Sequence, residues 1–320
     1  MAKKRSKKQQ QEYRSKLLGI VAAVLCVIAS LILGQDRVDE ILDTLFQETG
    51  MTSAPVQVDG ELKVHFIDVG QGDCTLIQTA SQNILVDAGE RGNGNTILSY
   101  LESQQVEELD LVVATHPHSD HIGSMPDILK ALPVKKVLEG NVPEKLIPTT
   151  RIYESLLDII AEKDIPLIEA APGLEYDIGG GAKISVLGPA SDNIKDLNNT
   201  SAVFRLEYGE TSFMFTGDAE KESEEEILAH TSKKQLHANV LKLGHHGSRT
   251  SNSQEWLYAV APEYAIALVG KDNDYGHPHE ETLKKLKKAG ITLYRSDVHG
   301  TIVFGSDGKS LTVITEKGAA

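Results

Sequence analysis

Leu111-Val112-Val113-Ala114-Thr115-His116-Pro117-His118-Ser119-Asp120-His121-Ile122-Gly123 is the stretch on which the fold turns. Its first four residues are apolar on both faces, the texture of a strand covered on two sides. Directly after them come three imidazoles and a carboxylate within six residues. So dense a polar cluster beside a buried strand is costly unless something binds it. His116 and His118, two apart in an extended loop, point the same way, while Asp120 and His121 open the next helix and face a second point nearby. Imidazole nitrogen with carboxylate oxygen is the ligand set of zinc, and also of manganese and iron.

Two later strand ends carry the same kind of residue. Phe213-Met214-Phe215-Thr216-Gly217-Asp218 delivers a carboxylate from an apolar run. Its two oxygens suit a bridge between two metals; a cap on the following helix is the plainer reading. Val240-Leu241-Lys242-Leu243-Gly244-His245-His246-Gly247-Ser248 presents two histidines. One is placed as a ligand of the second metal, the other as its support or a substrate contact.

Outward from these motifs, short apolar runs broken by Gly, Asp and Asn predict strands at 62–67, 74–78, 84–86, 111–114, 183–187, 203–207, 212–215, 239–243, 264–268, 301–304 and 311–314. Helical patterns fit 95–105, 122–132, 152–163, 220–229 and 280–289. Hairpins at both ends with helices between them predict an α/β (α+β) chain, two mixed sheets face to face with helices outside.

The chain has 320 residues, 40% apolar and 24% charged, which excludes disorder as the main state and a polytopic membrane protein. Two cysteines exclude a disulfide scaffold and a thiolate zinc cluster. The net charge of −14 is uneven: residues 1–16 hold seven Lys or Arg against one Glu, so the other 304 residues sum to −20. That body argues against broad, non-specific binding of phosphate backbones. Leu17–Gly34 is eighteen residues without a charge, roughly 27 Å as a helix and near the thickness of a bilayer core. With Lys3, Lys4, Arg5, Lys7, Lys8, Arg14 and Lys16 before it, it reads as a single-pass anchor with a basic cytoplasmic tail at 1–16 and everything after it outside the cell. Residues 35–60 read as a linker and 61–316 as the functional domain.

The ordered set HxHxDH, a strand ending in Gly-Asp and a strand ending in His resembles the metallo-β-lactamase superfamily of αββα hydrolases. More narrowly, Phe66-Ile67-Asp68-Val69-Gly70-Gln71-Gly72-Asp73, Ile84-Leu85-Val86-Asp87-Ala88-Gly89, Leu243-Gly244-His245-His246-Gly247-Ser248 and Tyr275-Gly276-His277-Pro278-His279 resemble the hydrolase domain of ComEC-type competence proteins. The likeness runs from Glu61 to Ile314; the polytopic channel of a full ComEC protein has no counterpart, so DNA import by this chain alone is not expected. The resemblance implies two divalent ions, zinc or alternatively manganese, the first held by His116, His118 and Asp218, the second by Asp120, His121, His245 and the shared Asp218. It makes Asp87 a carboxylate that braces the histidine loop, with Asp68 and Asp73 in a similar supporting place. One departure is plain: no histidine lies between His121 and Asp218, and Asn198-Asn199 stands where a third ligand of the first metal would come from.

A water shared by two divalent ions is a nucleophile near neutral pH. Asp120 is the residue to orient it or take its proton. His277 is placed as leaving-group acid or phosphate contact, and His279 as a second contact or simply a helix start. The implied activity is phosphodiester cleavage, with DNA as substrate. Phosphodiesters of cell-wall polymers or small phosphodiesters are the alternative, and a metal-binding surface module without catalysis is the third reading. His65, His230, His237 and His299 are read as incidental.

Overall fold

The computed structural model describes residues 58–318 apart from 192. The anchor expected at 17–34 and its flanks, up to residue 57, lie outside the described residues; among those described, no helix is long and apolar enough to cross a membrane.

Strands β1 (Leu62–Phe66), β2 (Thr75–Gln78), β3 (Asn83–Val86), β4 (Leu111–Ala114), β5 (Val137–Glu139) and β6 (Leu167–Glu169) join β14 (Ile302–Ser306) and β15 (Leu311–Thr315) in one sheet, ordered β15-β14-β1-β2-β3-β4-β5-β6. Strands β7 (Glu175–Asp177), β8 (Ala182–Gly188), β9 (Val203–Tyr208), β10 (Thr211–Phe215), β11 (Val240–Lys242), β12 (Tyr264–Ala267) and β13 (Thr292–Arg295) form the other, ordered β13-β12-β11-β10-β9-β8-β7. Each sheet is half antiparallel and half parallel. In the first the parallel half runs β3-β4-β5-β6, and in the second β10-β11-β12-β13. The carboxyl ends of parallel strands are where α/β sheets place their ligands, and Asp87, the histidine loop, Asp218 and the His245-His246 pair follow β3, β4, β10 and β11 at such ends.

The sandwich core explains the double-sided apolar runs. In β4, Leu111 and Val113 face the second sheet, among Phe66, Phe204, Phe213 and Phe215. Val112 and Ala114 face the helices α1 (Gly94–Ser103), α2 (Ser119–Ile122), α3 (Met125–Ala131) and α4 (Arg151–Glu162). The second sheet is covered in turn by α5 (Lys221–His230), α6 (Lys233–Leu236), α7 (Gln254–Val260) and α8 (Glu280–Ala289), with Met214, Leu241, Trp256 and Leu286 packed between. A short α9 (Ser296–His299) follows β13. Phe204 stacks on Phe215 at 4.7 Å and Phe215 on Phe66 at 6.0 Å; burying one such ring contributes about 1.5–3 kcal/mol.

Two features fix the histidine loop against this frame. The expected helix 122–132 is divided into α2 and α3 at Gly123-Ser124, with Pro126 in the first turn of α3, where its missing N–H costs nothing. Gly123 admits no side chain, because a Cβ there would lie 2.3 Å from the Arg91 nitrogen and from the Ser119 carbonyl oxygen.

Candidate metal centre

Asp87, just past β3, organises the histidine loop. Its Oδ1 accepts from the Thr115 N–H at 2.8 Å, and its Oδ2 accepts from the Thr115 hydroxyl at 2.7 Å and from His121 Nδ1 at 2.8 Å. Burial raises the Asp87 carboxyl above the usual range against the pull of His121. Held this way, His121 aims Nε2 at Asp218, 3.1 Å from Oδ1. Burial disfavours charge on His121, but the carboxylates of Asp218, Asp87 and Asp120 outweigh it and hold the imidazolium well above its ordinary range.

His116 is fully buried, its Nε2 2.9 Å from His118 Nδ1 and 3.8 Å from Asp218 Oδ2. Burial, with the neighbouring His121 charge, pushes it well below the ordinary value and leaves the lone pair free. Asp218 is held in turn by its own N–H, which donates to Ser201 Oγ at 3.0 Å. Burial resists its ionisation, yet the surrounding imidazoles, His121 first, hold its carboxyl well below the usual range.

The two histidines after β11 diverge because both adopt the left-handed conformation, His245 at φ 49°, ψ 50° and His246 at φ 54°, ψ 21°. For non-glycine residues this costs roughly 1–2 kcal/mol each. Asn252 secures the bend by accepting from the Gly244 N–H at 3.0 Å and donating to the Gly244 carbonyl at 2.9 Å. His246 turns inward, Nε2 3.1 Å from Asp120 Oδ2 and 3.7 Å from Asp218 Oδ2, while Nδ1–H donates to the Leu268 carbonyl at 2.8 Å. Burial opposes its charge, but Asp218, Asp73 and Asp120 push it up to about 10. Asp120 also ionises against burial: His121 and His246 hold its carboxyl below the usual range. His245 stays partly exposed, Nε2 3.6 Å from Asp218 Oδ2 and Nδ1 3.2 Å from Glu220 Oε1.

A divalent metal fits these residues. Asp120, His121, Asp218 and His246 offer one ligand atom each within 4.8 Å of one another. His121 Nε2 and Asp218 Oδ1 are buried and lack a hydrogen-bond partner among the described residues, although they lie 3.1 Å apart. In the metal-free protein the imidazolium proton stands between these two atoms, and a divalent cation held by both takes its place. The group includes His246, which the double left-handed turn sends beneath Asp120, while His245, the expected ligand, reaches Asp218 Oδ2 at 3.6 Å from the open side.

The remaining expected residues divide. Asp73 is buried beside the cluster, 3.2 Å from His246 Nδ1 and 2.6 Å from Lys242 Nζ. Asp68 departs from its expected supporting place: its partners are the Gly70 N–H, at 3.1 Å, and Lys317, at 3.4 Å, so it ties the β1–β2 loop to the chain end. Asn199 also faces elsewhere. Its Oδ1 accepts from the Glu220 N–H at 2.9 Å, and Glu220 in turn holds His245, so asparagine acts on the site through the glutamate. His277 lies in the site, its ring 5.3 Å from His245 and 6.1 Å from His246, with Nδ1 buried and without a partner among the described residues. Burial and the neighbouring imidazoles push it down to about 4. His279 packs edge-on to His277 at 4.7 Å, and its Nδ1 accepts from the Arg249 N–H at 3.0 Å. Lys242, Glu220, Thr115 and Ser201 went unread; a lysine inside the otherwise apolar run VLKL was the one visible signal, since a buried cation requires a carboxylate.

An αββα sandwich with histidines and carboxylates gathered at the ends of its parallel strands defines a class, and the chain belongs to the metallo-beta-lactamase superfamily, whose family model matches residues 67–271. It is a metallo-hydrolase of that superfamily. Among its relatives, ComE operon protein 3 of Bacillus subtilis (strain 168) is 30% identical over 265 residues, covering 77% of this chain and 33% of that protein. Competence protein ComA of Neisseria gonorrhoeae is 32% identical over 248 residues, again 77% and 33%. The likeness to competence proteins read from the motifs therefore holds, and the chain spans about a third of the length of these relatives. Among solved structures, the E377D mutant of CmlA beta-hydroxylase matches with a TM-score of 0.50 at 14% identity, over 83% of this chain and 59% of that one, a likeness of fold.

Proposed function

We propose that this chain is a dinuclear metal-dependent phosphodiesterase that cleaves DNA, held at the cell membrane by residues 17–34 with its catalytic body outside. The observation that carries the catalytic part is the convergence of Asp120, His121, Asp218 and His246, one ligand atom each within 4.8 Å of one another, with His116 Nε2 3.8 Å from Asp218 and 2.9 Å from His118 Nδ1. His116 and His118 are the proposed first-metal ligands, Asp120, His121 and His246 those of the second, with Asp218 common to both and His245 at the open side of Asp218. Zinc is proposed, and manganese is the alternative that the carboxylate share allows. Two such ions supply a nucleophilic water at neutral pH and neutralise charge on the phosphoryl oxygens.

The chain's own residues do the rest. Asp120, ionised at neutral pH, accepts the proton of the water as its oxygen bonds to phosphorus, and passes that proton to the leaving oxygen as the ester P–O bond breaks. His277 is neutral at that pH, so its proposed work is to donate a hydrogen bond to a substrate oxygen rather than to deliver a proton. The names of the relatives favour DNA; the −20 body favours a less densely charged phosphodiester, such as one in a cell-wall polymer, as the second reading.

The test is hydrolysis of plasmid DNA and of bis-p-nitrophenyl phosphate by the full-length chain, with zinc or manganese and after chelation. Metal-dependent cleavage of both is expected; cleavage of the small ester alone removes DNA, and cleavage of neither removes the phosphodiesterase. A reporter fused after Thr315 is expected to be active only outside the cell.

A further inference from the structure

A wall of rings leads out of the metal centre to solvent. His277 packs against His245 at 5.3 Å, and Tyr275 lies on His277 at 5.7 Å with the two planes 19° apart. Tyr275 is 61% exposed, so one face of its ring is covered by His277 and the other is open. On the same wall His279 touches His277, and its Nδ1 receives the backbone N–H of Arg249. The Arg249 side chain is exposed and enters no ion pair among the described residues. It borders a groove of about 240 Å³ whose walls include Lys221, Lys285, Thr250, Glu255 and Glu281. Thr250 joins that groove to the centre, its hydroxyl 3.3 Å from His245 Nδ1. Lys221 pairs with Glu225 at 3.6 Å and Lys285 with Glu281 at 3.9 Å, so Arg249 is the cation on this groove left free to meet an anion on a body that sums to −20.

We propose that Tyr275 and Arg249 form a nucleotide shelf beside the metal centre, the open face of the tyrosine stacking a nucleobase and the guanidinium holding an adjacent phosphate. The proposal rests on the phosphodiesterase reading and names the substrate class as single-stranded nucleic acid. An open aromatic face and an unpaired cation, linked along one wall through His277, His279 and the Arg249 backbone N–H, repeat the alternation of base and phosphate along such a strand. A polyol phosphate chain has no ring to offer the tyrosine. The near-parallel Tyr275–His277 pair continues as a stack only with a third planar ring.

The test uses the full-length chain freed of metal by chelation, so that binding is read without cleavage. Fluorescence anisotropy compares labelled oligothymidylate with an abasic oligonucleotide of equal length. Wild type is expected to prefer oligothymidylate by roughly five- to hundredfold, the range that stacking of one base confers. Tyr275→Ala should erase that preference and Tyr275→Phe keep it. Arg249→Ala should reduce the slope of log affinity against log salt by about 0.7, the share of one phosphate on a single strand. Equal affinity of wild type for the two oligonucleotides overturns the shelf, as does a preference that survives Tyr275→Ala. Tighter binding of a sugar-substituted polyol phosphate than of oligothymidylate overturns it too. Hydrolysis of bis-p-nitrophenyl phosphate with metal restored stands apart from these outcomes, so the shelf can fail while the phosphodiesterase holds.

Discussion

A histidine that ligates through Nε2 needs its other nitrogen engaged, and Asp87 does this for His121 while also gripping Thr115 at the start of the loop. Asp87→Asn is expected to weaken metal affinity by about 10–100-fold; competition with a chromogenic chelator measures it, and unchanged affinity would mean Thr115 suffices to orient the ring. For His277, a group pushed down to about 4 is an imidazole and not an imidazolium at neutral pH. His277→Ala should therefore slow hydrolysis by about 10- to 100-fold, the size of one hydrogen bond to a charged oxygen. The loss should be equal for alkyl and nitrophenyl leaving groups; a loss growing with leaving-group pKa would restore the role of proton donor. Metal content should stay at the wild-type level. Residues such as His116, His118, His121 and Asp218 were legible because their spacing is local to one strand end each. Partners such as Lys242 for Asp73, or Glu220 for His245, come from different strands or lean on loops, and no single stretch of chain displays them.

At the scale of elements, the site depends on how tightly the loops seat. Gly123 follows α2, which carries Asp120 and His121, and its Cα faces backbone from two sides. Gly123→Ala should destabilise the protein by about 1–3 kcal/mol through overpacking, seen as a lower urea midpoint, and should weaken metal binding as α2 shifts. An unchanged midpoint would show that the Arg91 backbone yields freely. The long elements with clear periodicity, β1, β9, β10, α4 and α8, were readable within a residue or two. Missed were β5, β6, β7 and β13, three or four residues each, the last three at sheet edges where side chains face water. The α7 turn was hidden as well: Ser253 caps it by accepting from the Trp256 N–H, but seven residues are too few for an apolar stripe to repeat. Which of His245 and His246 turns toward Asp120 lay beyond sequence reasoning, since it is set by two backbone dihedral pairs.

For the molecule as a whole, the buried charges make stability depend on pH and on metal in opposite senses. His246 is raised from 6.5 to about 10, so its contribution is complete below pH 6.5 and is lost as pH climbs through 10. Asp218 is depressed from 3.8, so its contribution is complete above that value and is lost as pH falls through the lower folded one. His116 and His277, lowered by burial, erode stability below 6.5 because unfolding lets them charge. The metal-free protein is thus expected to show its highest Tm near pH 6.5 and to decline toward pH 10. Metal takes the place of protons on His121 and His246, so its affinity rises over the same interval and the Tm gap between loaded and stripped protein widens. Parallel Tm curves with and without zinc would contradict this. The ligand atoms also come from both layers: β4 of one sheet supplies His116 to His121, and β10 and β11 of the other supply Asp218 and His246. No partly made chain holds the pocket, because its last contributor is 130 positions beyond its first. Loading must therefore follow completion of both layers, and the ions acquired are those of whichever compartment the finished body folds in. A protein made in one medium and matured in another would carry the metal of the second.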